Sequence, residues 1–563
     1  MSKRRVSLLF ALVGLSFVVL LLLGTISNLN PGLGFGRDLR LIIDVKESPN
    51  QLIDFLMSQR SMGREIQVDS ISDTIKMISI SGVSDLQTFL SQVSSQLWRT
   101  TIMELGTFGS LSNLGQFMFT LEFYVTVFVL TFAVYWLIRY KTLGLFSVLT
   151  IFVIILGSLT ILKHLSNPFT HVIWFSMLLS FCFLLFQQKM LISYISSDTF
   201  TNSNEMDQTI SRNVRTHAIV LAFFSLVLYA TNFGLTSSAR YFALIAVFMI
   251  VLSFVLPFSL KSVRDFMIHE KHNQYFLSLN NFRGYSSDKS LRVWGSVVVM
   301  GLIAVLVGGI LFNNFNVRSR ELYNEYESKT LFLIEAEDAQ SFIEMHASFA
   351  THDVLNDQIT FFISDERSMW FFYNENVNIE NLEIARDSIE QKINVTGNIF
   401  EFSSTENPMG SPLFYFTELI FVILGFMIAN THPKYRYGIV SIVLNILSLA
   451  ICSGWFSLFS LGHSRITVLL FLSIPILNAF FIITTPKELK DYSWSKCIVY
   501  ATVRLGTIMM IIGIPVLLII PSPSDNILVM ISSLIIWSLS TVCSFIFYPL
   551  IMKGSKHEIL SKP

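Results

Sequence analysis

Residues 117–162, FMFTLEFYVTVFVLTFAVYWLIRYKTLGLFSVLTIFVIILGSLTIL, are two apolar runs joined by a turn that carries Arg139 and Lys141. Residues 413–458, LFYFTELIFVILGFMIANTHPKYRYGIVSIVLNILSLAICSGWFSL, repeat the arrangement with Lys434 and Arg436 in the turn. Even a glutamate recurs in place, Glu418 in TEL for Glu122 in LEF. Working outward from either copy gives the same larger unit. One apolar span and a mixed polar segment precede it, and three further apolar spans follow, over residues 1–265 and again over 290–553. A six-span unit written twice predicts two pseudo-symmetric repeats, a layout used by membrane transport machines.

Composition agrees. The chain is 52% hydrophobic and 14% charged, with mean hydropathy +0.59, so most of it belongs in lipid. Its 39 basic and 39 acidic residues cancel. No basic excess exists to neutralise phosphates, which argues against a general nucleic-acid binder. Cys182, Cys452, Cys497 and Cys543 all fall in or beside apolar spans, so neither a disulfide framework nor a thiolate metal site is implied.

The expected spans lie near 7–26, 117–138, 142–162, 169–188, 217–233, 238–260, 293–313, 413–430, 437–458, 466–485, 497–520 and 526–552, each about the length that crosses a hydrocarbon core ~30 Å thick. The first follows Lys3, Arg4 and Arg5. It is longer than a signal-peptide core and lacks a small-x-small cleavage site after it, so an uncleaved anchor is expected. Basic residues concentrate in alternate loops (Arg139, Lys141; Lys189, Arg212, Arg215; Lys261 to Arg292; Lys434, Arg436; Lys487, Lys490, Lys496; Lys553, Lys556, Lys562), while Lys163, Arg240 and Arg465 are the few in the short loops opposite. The positive-inside bias places both termini in the cytoplasm and both polar segments outside.

Residues 38–45 alternate as a strand, 49–61 suit a helix, 64–80 suit two strands, 84–98 suit a helix and 100–106 a last strand. The second segment gives the same order: TLFLIEA, a helix near 337–348, QITFFIS, MWFFYNE, a helix at 379–393 and NIFEFS. Strand-helix-strand-strand-helix-strand is the ferredoxin-like plan. The expected division is an anchor at 1–29, a first head at 30–115, helices at 116–265, a cytoplasmic linker at 266–291, a span at 292–313, a second head at 314–411, helices at 412–553 and a tail at 554–563. An open sheet edge can take up an extended chain by strand addition. It can equally serve to dock the heads on each other.

Several stretches resemble the bacterial SecDF protein-export auxiliary, a family of the RND superfamily. GRDLRLIIDV at 36–45 resembles the family's start after the first helix without its glycine pair, and SNLGQ at 112–116 resembles its entry to the second. RYKTLGLFSVL at 139–149 and SARYFALIAVFMIVLSF at 238–254 are similar to its second turn and sixth helix. YRYGIVSIVLNI at 435–446 and GWFSLF at 454–459 resemble the SecF half, with matching spacing between them.

The resemblance implies a polytopic membrane protein of two six-helix repeats, each with a ferredoxin-like extracytoplasmic domain, in a bacterial plasma membrane. It implies the SecYEG channel, the YajC subunit, the YidC insertase and an unfolded preprotein as partners. It also implies intramembrane carboxylates and an arginine that couple proton flow to motion, a task needing a group whose pKa burial and charge can set near ambient pH. The chain departs from the pattern there. Gln187 stands at the fourth helix's aspartate, and Asn478 or Phe481 at the tenth helix's acid. Leu447 and Ser448 replace a His-Asp pair, and the fifth helix has His217-Ala218-Ile219 where the family has D-A-N. An amide hydrogen-bonds as an acid does but does not release a proton at physiological pH.

Arg504 matches the family's arginine by position. Without a partner it must snorkel, since a mid-membrane arginine costs ~2.5–3.5 kcal/mol on insertion scales. The other ionisable candidates for proton or ion handling are Glu122 and Glu418, with His171 and His463 near the same outer ends. Interfacial glutamates can equally face headgroups and water. No phosphate-binding glycine loop, metal-spaced cluster or nucleophile elbow occurs, so no enzyme, cofactor or metal is expected. The function expected is assistance to preprotein translocation. An RND-type exporter of lipids or hydrophobic small molecules is the alternative, though heads this short are small for a substrate tunnel.

Overall fold

The computed structural model describes residues 38–44, 49–64, 66–70, 75–81, 101–108, 147–165, 171–195, 203–231, 233–270, 329–336, 359–364, 368–374, 395–402, 411–430, 438–459 and 465–483, with single positions between. The first sheet contains β1 (Asp38–Asp44), β2 (Ile66–Ser70), β3 (Ile75–Ile80) and β4 (Thr101–Phe108), with α1 (Pro49–Ser61) after β1. Its order is β2-β3-β1-β4, antiparallel throughout. The second contains β5 (Lys329–Ala336), β6 (Ile359–Ser364), β7 (Ser368–Asn374) and β8 (Val395–Phe402) in the order β6-β7-β5-β8, again antiparallel. Each strand thus keeps its counterpart's neighbours. The duplication read in the membrane spans extends to the heads.

Alternation in β1 decides which face is buried. Leu39 pairs with Ile80 and Leu41 with Ile78, so four apolar side chains share one face. Leu52 and Phe55 of α1 cover them together with Phe89, all buried. The Phe55 and Phe89 rings meet edge to face at 6.2 Å. Gly63, at φ 77, lets the chain leave α1: its N–H donates to Arg60 O at 2.9 Å, and Arg64 N–H donates to Gln59 O at 3.3 Å. Arg64 then lies 4.9 Å from the Phe89 ring centroid. The expected helix at 84–98 is described only at Phe89, and that at 379–393 only at 383, 384 and 387. The helix at 337–348 lies outside the described residues.

The described membrane helices are α2 (Ser147–His164), α3 (His171–Ile195), α4 (Ser203–Ala230), α5 (Thr236–Glu270), α6 (Pro412–Ala429), α7 (Gly438–Phe459) and α8 (Arg465–Ile483). Among the described residues, four segments are long and apolar enough to cross a membrane: α2, Gln208–Ala230 of α4, Thr236–Phe254 of α5, and α6. Sequence expected α4 to start at 217, but the helix starts at Ser203. Its first turns, SNEMDQTISRNVR, are polar and continue the helix beyond the apolar run. The first, second, seventh, eleventh and twelfth expected spans lie outside the described residues.

α6 is apolar on both faces. On α6, Phe416, Leu419, Ile423 and Met427 are exposed on one side, while Phe414, Phe421, Leu424 and Ile428 are buried on the other. Ser411 caps its start, accepting from Phe414 N–H at 3.2 Å, with Pro412 in the first turn. Thr170 caps α3 by accepting from Ile173 N–H at 3.1 Å. The two halves meet where Phe224 of α4 packs on Phe421 of α6, ring centroids 4.7 Å apart, and where α3 lies against α8.

Replacing Leu41, fully buried, with alanine is expected to cost the first head about 2–5 kcal/mol. Met57→Ala, on a side chain 65% exposed, is expected to cost little. Thermal loss of protease resistance in the full-length protein measures both.

Candidate functional site

The second half converges on a buried amide node. Asn478 of α8 donates through Nδ2 to Asn445 Oδ1 of α7 at 3.0 Å, and Asn445 Nδ2 donates to Ser441 Oγ at 3.4 Å. All three side chains are buried. Ser441 and Asn445 are four residues apart and so lie on one face of α7. The third helix reaches the node through a glycine. A Cβ on Gly425 of α6 would stand 2.6 Å from the Pro475 carbonyl oxygen of α8 and 3.3 Å from Asn445 Nδ2. Such contact between backbones is what small residues permit in membrane helix packing. Pro475 interrupts α8 at the same level, because it has no N–H to donate back along the helix.

The first half is tied by hydroxyls. Ser176 Oγ of α3 donates to Ser238 Oγ of α5 at 2.8 Å, and Ser180 Oγ lies 3.1 Å from Tyr241 OH. Ser225 Oγ and Ser211 Oγ of α4 donate to the Ala239 and Ser253 carbonyls of α5 at 2.6 and 2.7 Å. Further towards the Ile195 end of α3, Gln187 is wholly buried, as are Gln188, Asn213 and His217. On the opposite side Arg240 Nη1 donates to Asn167 Oδ1 at 2.9 Å.

The residues singled out from sequence are placed unevenly. Gln187 and Asn478 are both buried inside the helical assembly. Asn478 is bonded to Asn445, whereas neither polar atom of Gln187 has a hydrogen-bond partner. Glu418 lies on α6 with one carboxylate oxygen, Oε1, buried and without a hydrogen bond. His171 opens α3. Glu122, His463 and Arg504 lie outside the described residues, so the glutamate pair is not seen together. Asn445, Ser441, Gly425, Gln188 and Asn213 were not singled out from sequence. The signal was available: a carboxamide inside an apolar run is costly enough to need a partner.

No protein-family model and no curated protein sequence matches this chain. Solved structures do. SecDF in its super-membrane-facing form superimposes with a TM-score of 0.56 at 11% identity, covering 99% of this chain and 99% of that one. SecDF from Thermus thermophilus, a translocon-associated membrane protein, superimposes with a TM-score of 0.52 at 12% identity, covering 98% of this chain and 100% of that one. The chain has the SecDF fold. At 11–12% identity the likeness is one of fold alone. The described carboxamides Gln187 and Asn478 are buried within this fold.

Gly425→Ala is expected to force α6 away from α8 and lower the unfolding temperature of the full chain in detergent. Ile423→Ala, on an exposed side chain of the same helix, is expected to change it little. Equal effects from the two would count against a close contact at Gly425.

Proposed function

We propose that this chain is an accessory subunit of the general secretion channel in a bacterial plasma membrane. In this reading it crosses the bilayer twelve times as two six-helix repeats with both termini in the cytoplasm. Each repeat carries a ferredoxin-like head outside, and the heads hold a preprotein as it emerges. The observation that carries the reading is the superposition on SecDF, which runs through both heads and both helical sets over 99% of the chain. The common strand order of the two sheets supports complete ferredoxin-like heads. That order leaves β2 and β4, and β6 and β8, at sheet edges, where an extended chain can add as a further strand. The partners this reading entails are the SecYEG channel, YajC and YidC.

Co-purification is the test. Gentle extraction of the full chain is expected to bring down the channel subunits, most strongly while a secretory protein is held in transit. Recovery of tightly bound lipid with no channel subunit would overturn this reading in favour of a lipid exporter.

The same reading assigns energy coupling away from the usual acids. Gln187 and Asn478 cannot exchange protons, so proton or ion handling falls to Glu122 and Glu418 near the outer face, with His171, His463 and Arg504 as further members. Glu122→Gln together with Glu418→Gln is expected to abolish whatever part of secretion depends on the proton gradient. Secretion assayed with the gradient intact and collapsed measures it, and an unchanged gradient dependence would remove both glutamates from the scheme.

A further inference from the structure

Among the described residues of α3 and α4, four buried amide atoms have no hydrogen-bond partner: Nε2 and Oε1 of Gln187, Nε2 of Gln188 and Nδ2 of Asn213. Their side chains are 0%, 2% and 4% exposed, so neither bulk water nor headgroups reach them. Native interiors leave few such groups unsatisfied.

The helix registers bring these residues to one depth. Along the parallel pair α3 and α5, Ser180 meets Tyr241, so Gln187, seven residues on, is level with Phe248. Along the antiparallel pair α4 and α5, Ser225 meets Ala239 and Ser211 meets Ser253. Phe248, nine residues past Ala239, is therefore level with Thr216. Gln187 and Gln188 thus stand between Asn213 and His217 in depth, to within about one helical turn of ~5.4 Å. Gly157 of α2 closes on the same level, since a Cβ there would meet the Phe248 ring at 2.7 Å. His217, wholly buried, belongs to this layer as well.

We infer that this layer is an internal water site, with Gln187, Gln188 and Asn213 holding about two water molecules among α3, α4 and α5, each water making about three hydrogen bonds. The donor set selects the occupant. Three orphaned donors and one orphaned acceptor do not build a cation site, which needs several oxygens. Neutral carboxamides closed off from lipid suit a molecule that both donates and accepts and is small enough to be enclosed. Water meets all three conditions. The second half differs, because Asn478, Asn445 and Ser441 satisfy one another directly. One half is closed by protein hydrogen bonds and the other by solvent, a difference that holds whatever the protein carries.

Hydroxyl-radical labelling driven by an X-ray pulse tests this on the purified full chain, because buried side chains are oxidised only where water is bound beside them. His217 and Met249, the latter 1% exposed and one residue from the level of Gln187 on α5, are the readouts. Oxidation of at least one is expected, falling several-fold in Gln187→Leu/Asn213→Leu. Absence of label on both in the unaltered protein, or label undiminished in the double variant, would overturn the proposal. If the double variant does not fold, the labelling of the unaltered protein decides alone.

Discussion

Inside a helical membrane assembly there is no bulk water, so each buried hydroxyl and carboxamide must find its partner on its own helix, on a neighbouring helix or in an enclosed water. That constraint sets the register of the structure. Ser211 and Ser225 fix α4 against α5 at two points fourteen residues apart on each helix, and Ser176 and Ser180 fix α3 against α5. Apolar packing alone does not choose among registers one turn apart, because leucine and phenylalanine surfaces resemble each other at every turn. The hydroxyls choose. Aromatic contacts such as Phe224 on Phe242 at 5.2 Å then fill the space that the register leaves.

The same constraint separates the two halves. Around Gly425 the helices approach so closely that Asn445 reaches Asn478 without an intermediary. Around Gln187 no described side chain completes the carboxamides. The resemblance implied acids at Gln187 and at Asn478 or Phe481, and the two carboxamides among these carry a hydrogen-bonding group without a charge. A neutral carboxamide exchanges no proton at physiological pH, but it makes the same demand for partners as any buried polar group. The duplicated scaffold therefore keeps its polar centres as packing and register elements.

Much of the fold was legible in the sequence. Period-two alternation in DLRLIIDV and TLFLIEA, with turn residues between the runs, gave strands within a few residues of those observed, because a half-buried strand writes its face directly into the chain. Apolar run length located α2, α6, α7 and α8 closely. It underestimated α4 and α5, which continue past the lipid as polar helix that no hydropathy signal marks. The site was less legible. Gln187 and Asn478 drew notice only against a family pattern, whereas the partner Asn445 and the approach at Gly425 depend on which helices become neighbours. Single-chain periodicity carries no information about that choice.

The central claim is that α4 meets α5 in the register at which Ser211 faces Ser253 and Ser225 faces Ala239, and disulfide trapping in native membranes tests it most directly. In a background with Cys182, Cys452, Cys497 and Cys543 replaced by serine or alanine, Ser211→Cys with Ser253→Cys and Ser225→Cys with Ala239→Cys are predicted to cross-link under mild oxidation. Ser211→Cys with Met249→Cys, one turn out of register, is predicted to remain reduced. Cross-linking of the shifted pair in place of the other two would contradict the account.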